Sequence, residues 1–148
     1  MFIYSILVIG TFAVVSVVAG EGDNATTLDA FKGLGKKRPV LALGMTVLLL
    51  AQAGVPLTSG FVAKFGIIRA AVSVESYALA VAAMLAAVIA AFLYLRIMVS
   101  MWLSDPTDDS PLIISKSAGI AIALAVATTL LIGILPSSLL DYCKLLLS

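Results

Sequence analysis

The chain has 148 residues, 62% of them hydrophobic and only 11% charged, with nine Lys and Arg against eight Asp and Glu for a net charge of +1. Soluble domains carry about 25% charged residues, so a water-soluble enzyme is excluded, and the near-neutral balance supplies no field to gather nucleic acid. Histidine is absent, which removes His-ligated haem, His-zinc and Ser-His-Asp chemistry, and the lone Cys143 cannot by itself build a disulfide, a Cys₄ zinc site or an iron–sulfur cluster.

A mean hydropathy of +1.19 points to a bilayer, which a helix crosses with about 20 mostly apolar residues. Residues 1–19 carry no charge and form the first expected span. Met1-Phe2-Ile3-Tyr4-Ser5 offers no positive region ahead of this run, so a spanning helix is preferred to a cleaved signal peptide, although Val17-Val18-Ala19 ends on a small residue. Two motifs occur in the loop 20–38. Gly20-Glu21-Gly22-Asp23-Asn24-Ala25 matches G-x-G-x-x-A, but Glu21 and Asp23 would face the phosphates of a dinucleotide, and the preceding run is too long for a strand. Asn24-Ala25-Thr26 matches a glycosylation sequon on a loop expected in the cytoplasm. Both read as a polar turn leaving the membrane.

The second apolar stretch, 39–72, would reach about 50 Å as one straight helix, too far for a single span. Its centre carries Pro56, which cannot donate a backbone hydrogen bond and clashes with the preceding turn. Gly54 and Gly60 bracket it, giving a hinge of Gly54, Pro56 and Gly60, with Gln52, Thr58 and Ser59 as polar lining. The break falls near the middle of the apolar run. Open backbone at that depth must be buried in protein or line a wet cavity, and transporters place ion sites at such interruptions. Lys64 follows about one turn later. An ionisable side chain deep in a span costs about 2.5–3.5 kcal/mol on insertion scales and defaults to a functional role. A lysine amine can release its proton where a guanidinium cannot, so Lys64 reads as a proton-relay residue. Snorkelling to the interface is the competing reading, but eight residues separate Lys64 from the end of the run at Val72.

The third span, 77–103, has small residues at helical spacing, Ala78, Ala82, Ala86 and Ala90 with Ala83, Ala87 and Ala91 beside them; static close packing is the expectation. Arg96, about two turns from the end, reads as an anchor or ion-pair partner. Asp105 to Pro111 reads as a solvated loop without a metal-ligand pattern. The fourth span, 117–135, stops at Pro136, and a short amphipathic tail, 137–148, follows. The expected fold is an all-α integral membrane protein. It has a single transmembrane domain, 1–148, with four transmembrane helices, the second broken at Gly54–Gly60. Lys32, Lys36, Lys37, Arg38 and Lys116 fall on one side, with Arg96 near it, against Arg69 and Lys144 on the other. The positive-inside rule then puts loops 20–38 and 104–116 in the cytoplasm and both termini outward. An outward start is what the tail end of a longer protein would show.

Gly33-Leu34-Gly35-Lys36-Lys37-Arg38-Pro39, followed by Leu49-Leu50-Ala51-Gln52-Ala53-Gly54-Val55-Pro56-Leu57-Thr58-Ser59-Gly60-Phe61-Val62-Ala63-Lys64-Phe65, resembles the antiporter-like subunits of bacterial NADH:quinone oxidoreductase, respiratory complex I, and subunit N most of all. Leu93-Tyr94-Leu95-Arg96 and Gly10-Thr11-Phe12 are similar to further segments of that family. The likeness runs over nearly the whole chain; the second-stretch motif is specific and the last span generic. The resemblance implies the last four spans of a subunit built from two inverted halves, each with a broken helix. It puts Lys64 on the family's lysine in the second broken helix, at the outer end of a proton channel. The first half, with the family's glutamate and other channel lysines, is not in this sequence, so a half-channel at most is implied. The implied setting is the bacterial inner membrane, with the other membrane-arm subunits of complex I as partners, neighbouring antiporter-like subunits among them. NADH, FMN, iron–sulfur clusters and quinone are expected in those partners, with no cofactor in this chain. Two other readings stand beside it: a subunit of a multisubunit cation/proton antiporter, and a non-conducting membrane scaffold.

Overall fold

The structure is a computed structural model that describes residues 2–20, 27–56, 58–106 and 114–134. Residues 21–25 of the glycine pattern, the Asn24 sequon, residues 107–111 of the acidic loop, Pro136, Cys143, Lys144 and the tail 137–148 lie outside the described residues. The elements in order are α1 (Phe2–Ala19), a 3₁₀ turn (Leu28–Phe31), α2 (Leu34–Lys37), α3 (Pro39–Ala53), α4 (Ser59–Ser73), α5 (Tyr77–Leu103) and α6 (Lys116–Ile134), with no strand among the described residues.

By length and composition, α5 with 27 residues and α6 with 19 are each long and apolar enough to cross a membrane. The helices α3 and α4 have 15 residues each, about 22 Å apiece, so neither alone covers about 30 Å of hydrocarbon. Pro39 opens α3 at a position where its missing N–H costs nothing. The helix ends at Gly54, which turns left-handed at φ 84°. Its N–H bonds the Ala51 carbonyl at 3.0 Å while the Val55 N–H bonds Leu50 at 3.1 Å. These are the two hydrogen bonds of a Schellman stop, and Pro56 prevents the helix from resuming at once. Thr58 is extended, and α4 begins at the next residue.

The core lies where α1, α3 and α6 meet. A Cβ on Gly10 of α1 would collide with Ala125 of α6 and press on Leu48 of α3, so glycine lets these backbones approach closely. Leu7, Val14, Met45, Leu48, Leu49 and Ile122 are buried around this point. By contrast α5 buries only Ala80 and Met101 and leaves Leu85, Val88, Ile89 and Phe92 exposed. A helix apolar all round needs apolar surroundings on every side. The alanine stripe differs from its expectation for the same reason. Ala78 and Ala82 are exposed, while Ala83, Ala86, Ala87 and Ala90 line a cleft beside α4.

The polar loop 20–38 carries more structure than its composition announces. The Gly33 N–H donates to the Ser100 carbonyl at 3.2 Å, and Gly33 is left-handed at φ 68° with Pro106 directly against it. Gly35 lies against the Trp102 ring, Trp102 Nε1 donates to Thr46 Oγ1 at 2.9 Å, and Lys36 pairs with Asp105. The loop is thereby docked on the C-terminal end of α5, which is why its residues adopt helical turns.

Candidate functional site

The junction between α3 and α4 brings Lys64 back onto the helix that precedes it. Lys64 Nζ donates to the carbonyl oxygen of Ala53, the last residue of α3, at 3.0 Å. The final carbonyls of a helix have no partner within it and carry partial negative charge. A cation there stabilises by about 0.3–1 kcal/mol, and up to about 2 kcal/mol where partly buried. The side chain reaches this carbonyl by passing over Gly54, where a Cβ would stand 2.9 Å from Lys64 Cδ. Gly54 therefore supplies both the left-handed turn and the clearance.

The first residues of α4 are pressed against the same end of α3. A Cβ on Gly60 would run into the Ala51 carbonyl, so only glycine permits the approach. Thr58 Oγ1 donates to the Val55 carbonyl at 2.6 Å. Gln52, 6% exposed, donates from Nε2 to the Leu7 carbonyl at 3.3 Å and to Thr11 Oγ1, tying α3 to α1. Ser59 is fully buried, and its hydroxyl has no hydrogen-bond partner among the described residues. The structure thus gathers all seven singled-out residues at one junction and gives them different work. Gln52 and Thr58 are bonded to protein, and Ser59 retains an uncommitted hydroxyl.

Beside Lys64 lies a cleft of about 380 Å³ between α4, α5 and α1, lined by Ile67 and Ile68, by Ala83, Ala86, Ala87 and Ala90, and by Tyr4. The small alanines leave this space open next to the amine. Tyr4 was not distinguishable in the sequence from other aromatic residues of an apolar run. Thr129 of α6, 1% exposed and also without a partner among the described residues, lay in the generic last stretch with no motif around it. Arg69 and Arg96 are exposed on α4 and α5. Among the described residues no group of three or more Cys, Asp or Glu side chains is placed to hold a metal ion.

Residues 1–90 match a family described as NADH:quinone oxidoreductase/Mrp antiporter, TM. Over 144 residues the chain is 44% identical to NADH-quinone oxidoreductase subunit N of Saccharopolyspora erythraea, covering 96% of this chain and 28% of that protein. It is 42% identical over 140 residues to subunit N 3 of Streptomyces griseus, covering 93% and 25%. With subunit N 1 of Herpetosiphon aurantiacus the identity is 39% over 145 residues, covering 97% and 30%. The chain therefore spans between a quarter and a third of the length of the curated relatives it matches.

Proposed function

The chain belongs to the NADH:quinone oxidoreductase/Mrp antiporter transmembrane family, and from that premise we propose that it is the C-terminal portion of a proton-translocating membrane-arm subunit of complex I, with Lys64 as a proton-relay residue. In this reading residues 1–148 form one transmembrane domain. Here α1, α5 and α6 each cross the inner membrane, and α3 with α4 crosses as one helix broken at Gly54–Gly60. Loops 20–38 and 104–116 face the cytoplasm and both termini face outward, following the distribution of Lys and Arg.

The observation that carries the reading is the bond from Lys64 Nζ to the Ala53 carbonyl beside an open cleft. The ammonium form is held by the negative end of α3. The amine remains at the wall of an open space, where a proton donor or acceptor has room to reach it. Loss of the proton weakens the attraction to the helix end, so loading and release at Lys64 are coupled to the contact across the break. An arginine could make the same contact but could not release its proton.

The remainder of the subunit and the other membrane-arm subunits, including neighbouring antiporter-like ones, are the partners. NADH, FMN, iron–sulfur clusters and quinone belong to subunits other than this chain. The names of the relatives favour the oxidoreductase over a cation/proton antiporter. A cation kept in an apolar cleft argues against a non-conducting scaffold, for which it would be only a cost. In the intact complex in membrane vesicles, Lys64→Met should lower NADH-driven proton uptake several-fold at equal amounts of assembled complex. Uptake equal to wild type would contradict the relay.

A further inference from the structure

Two hydroxyls in the core lack a partner among the described residues. Ser59 Oγ and Thr129 Oγ1 belong to residues 0% and 1% exposed, and neither is hydrogen-bonded to any described residue. Other threonines in the bundle satisfy themselves locally. Thr11 and Thr46 donate to the carbonyls of Leu7 and Ala42, four residues earlier, and Thr58 donates to Val55. Thr129 does not bond back in this way, although it too lies within a helix. An unpaired buried hydroxyl is a net cost to folding, and native interiors meet it with ordered water where polar groups converge.

The neighbours of the two residues converge on adjoining stretches of α1 and α3. Gly10 of α1 abuts both Ala125 of α6 and Leu48 of α3. One turn further along lie Thr129 and Gln52, and Gln52 bonds to Leu7 and Thr11 on α1. Gly60, next to Ser59, abuts the carbonyl of Ala51, next to Gln52. Thr129 shares the face of α6 that buries Ile122, Ala125 and Ile132, and α4 packs against α6.

We propose that Ser59 and Thr129 are the protein ligands of a buried water between α4 and α6, a hydration site that supplies protons to, and takes them from, the break where Lys64 sits. The role in proton supply rests on the relay reading of Lys64; the water site rests on the two hydroxyls. Two neutral hydroxyls suit water, since a bound cation would call for more oxygen ligands and negative charge. A water held between them accepts a proton from one side and gives one up on the other, so the site returns to its starting state after each transfer. Nothing in the motif around Lys64 points to α6, and the assignment brings that helix into the path.

The test uses the intact complex in membrane vesicles, with Thr129→Val, Thr129→Ser, Ser59→Ala and Lys64→Met compared at matched assembly. Thr129→Val and Ser59→Ala should each reduce proton uptake per electron transferred at least threefold, while Thr129→Ser, which keeps the hydroxyl, should pump close to wild type. A purely packing role predicts the reverse, because valine matches the shape of threonine and removes an unpaired polar atom. Wild-type uptake in Thr129→Val with reduced uptake in Lys64→Met overturns the hydration site alone. Wild-type uptake in Lys64→Met overturns the relay reading as well. Should Thr129→Val fail to assemble, Ser59→Ala and Thr129→Ser decide by the same criteria.

Discussion

Gly60 and Gly66 lie on the same helix and answer the same substitution in opposite ways. At Gly60 a methyl group meets the Ala51 backbone, which cannot rotate aside. Overpacking of this kind costs about 1–3 kcal/mol, so Gly60→Ala should lower the thermal unfolding temperature of the detergent-solubilised protein. At Gly66 nothing stands within 4 Å, and alanine inside a helix gains about 0.5–1 kcal/mol over glycine. Gly66→Ala should therefore raise that temperature, and an inverted order would contradict the packing of α4 on α3. Glu75 is a third case. It closes α4 in the left-handed region at φ 57°, with its N–H on Val72 and the Ser76 N–H on Ala71. A left-handed non-glycine residue costs about 1–2 kcal/mol, so Glu75→Gly should stabilise by about that amount in the same melt.

Among the elements, the C-terminal end of α5 and the residues just after it make two exposed polar contacts, one to α3 and one to α2. Trp102 Nε1 bonds Thr46 across elements, and Trp102→Phe, which removes that donor, should cost about 1 kcal/mol. The hydrogen bond and positive charge of Lys36 hold the Asp105 carboxyl below the usual carboxylate range. A lowered value in the folded protein means the contribution is present above the unfolded value of about 3.9 and is lost as pH falls through the folded one. The pair is exposed and screened. Asp105→Asn should therefore shift the melt only slightly, with the difference fading as pH falls below about 3.9 towards the folded value, and fading also in about 1 M salt. How far the elements were legible in the sequence follows from what each depends on. The third apolar stretch and α5 share the bounds 77 and 103, because unbroken apolar composition alone defines that helix. The turns at 28–31 and 34–37 were hidden, because they depend on docking against Ser100, Trp102 and Pro106 far along the chain. Lys64 was visible as a charge in an apolar run, but its bond to Ala53 arises only when the chain doubles back across the junction. Thr129 was invisible for want of any local signal, since its significance lies in a buried hydroxyl with no partner among the described residues.

Taken as a whole, the molecule exposes most of the large apolar side chains of α5, which suits lipid or partner helices and not water. In the proposed orientation the basic loop before α3 faces the cytoplasm. A cysteine replacing Lys36, in a chain whose Cys143 has been exchanged for serine, should label from the cytoplasmic side only; labelling from outside would reverse the topology. The central claim concerns what Lys64 does with its charge. Capping α3 needs only a cation at the Ala53 carbonyl, whereas relaying a proton needs a cation that can be discharged. Lys64→Arg separates the two, because it keeps the cap and removes the discharge. The decisive measurement is NADH-driven proton uptake by vesicles carrying the Lys64→Arg complex, at wild-type levels of assembly. The relay account predicts that uptake falls several-fold although the junction remains folded, and uptake at the wild-type rate would contradict it.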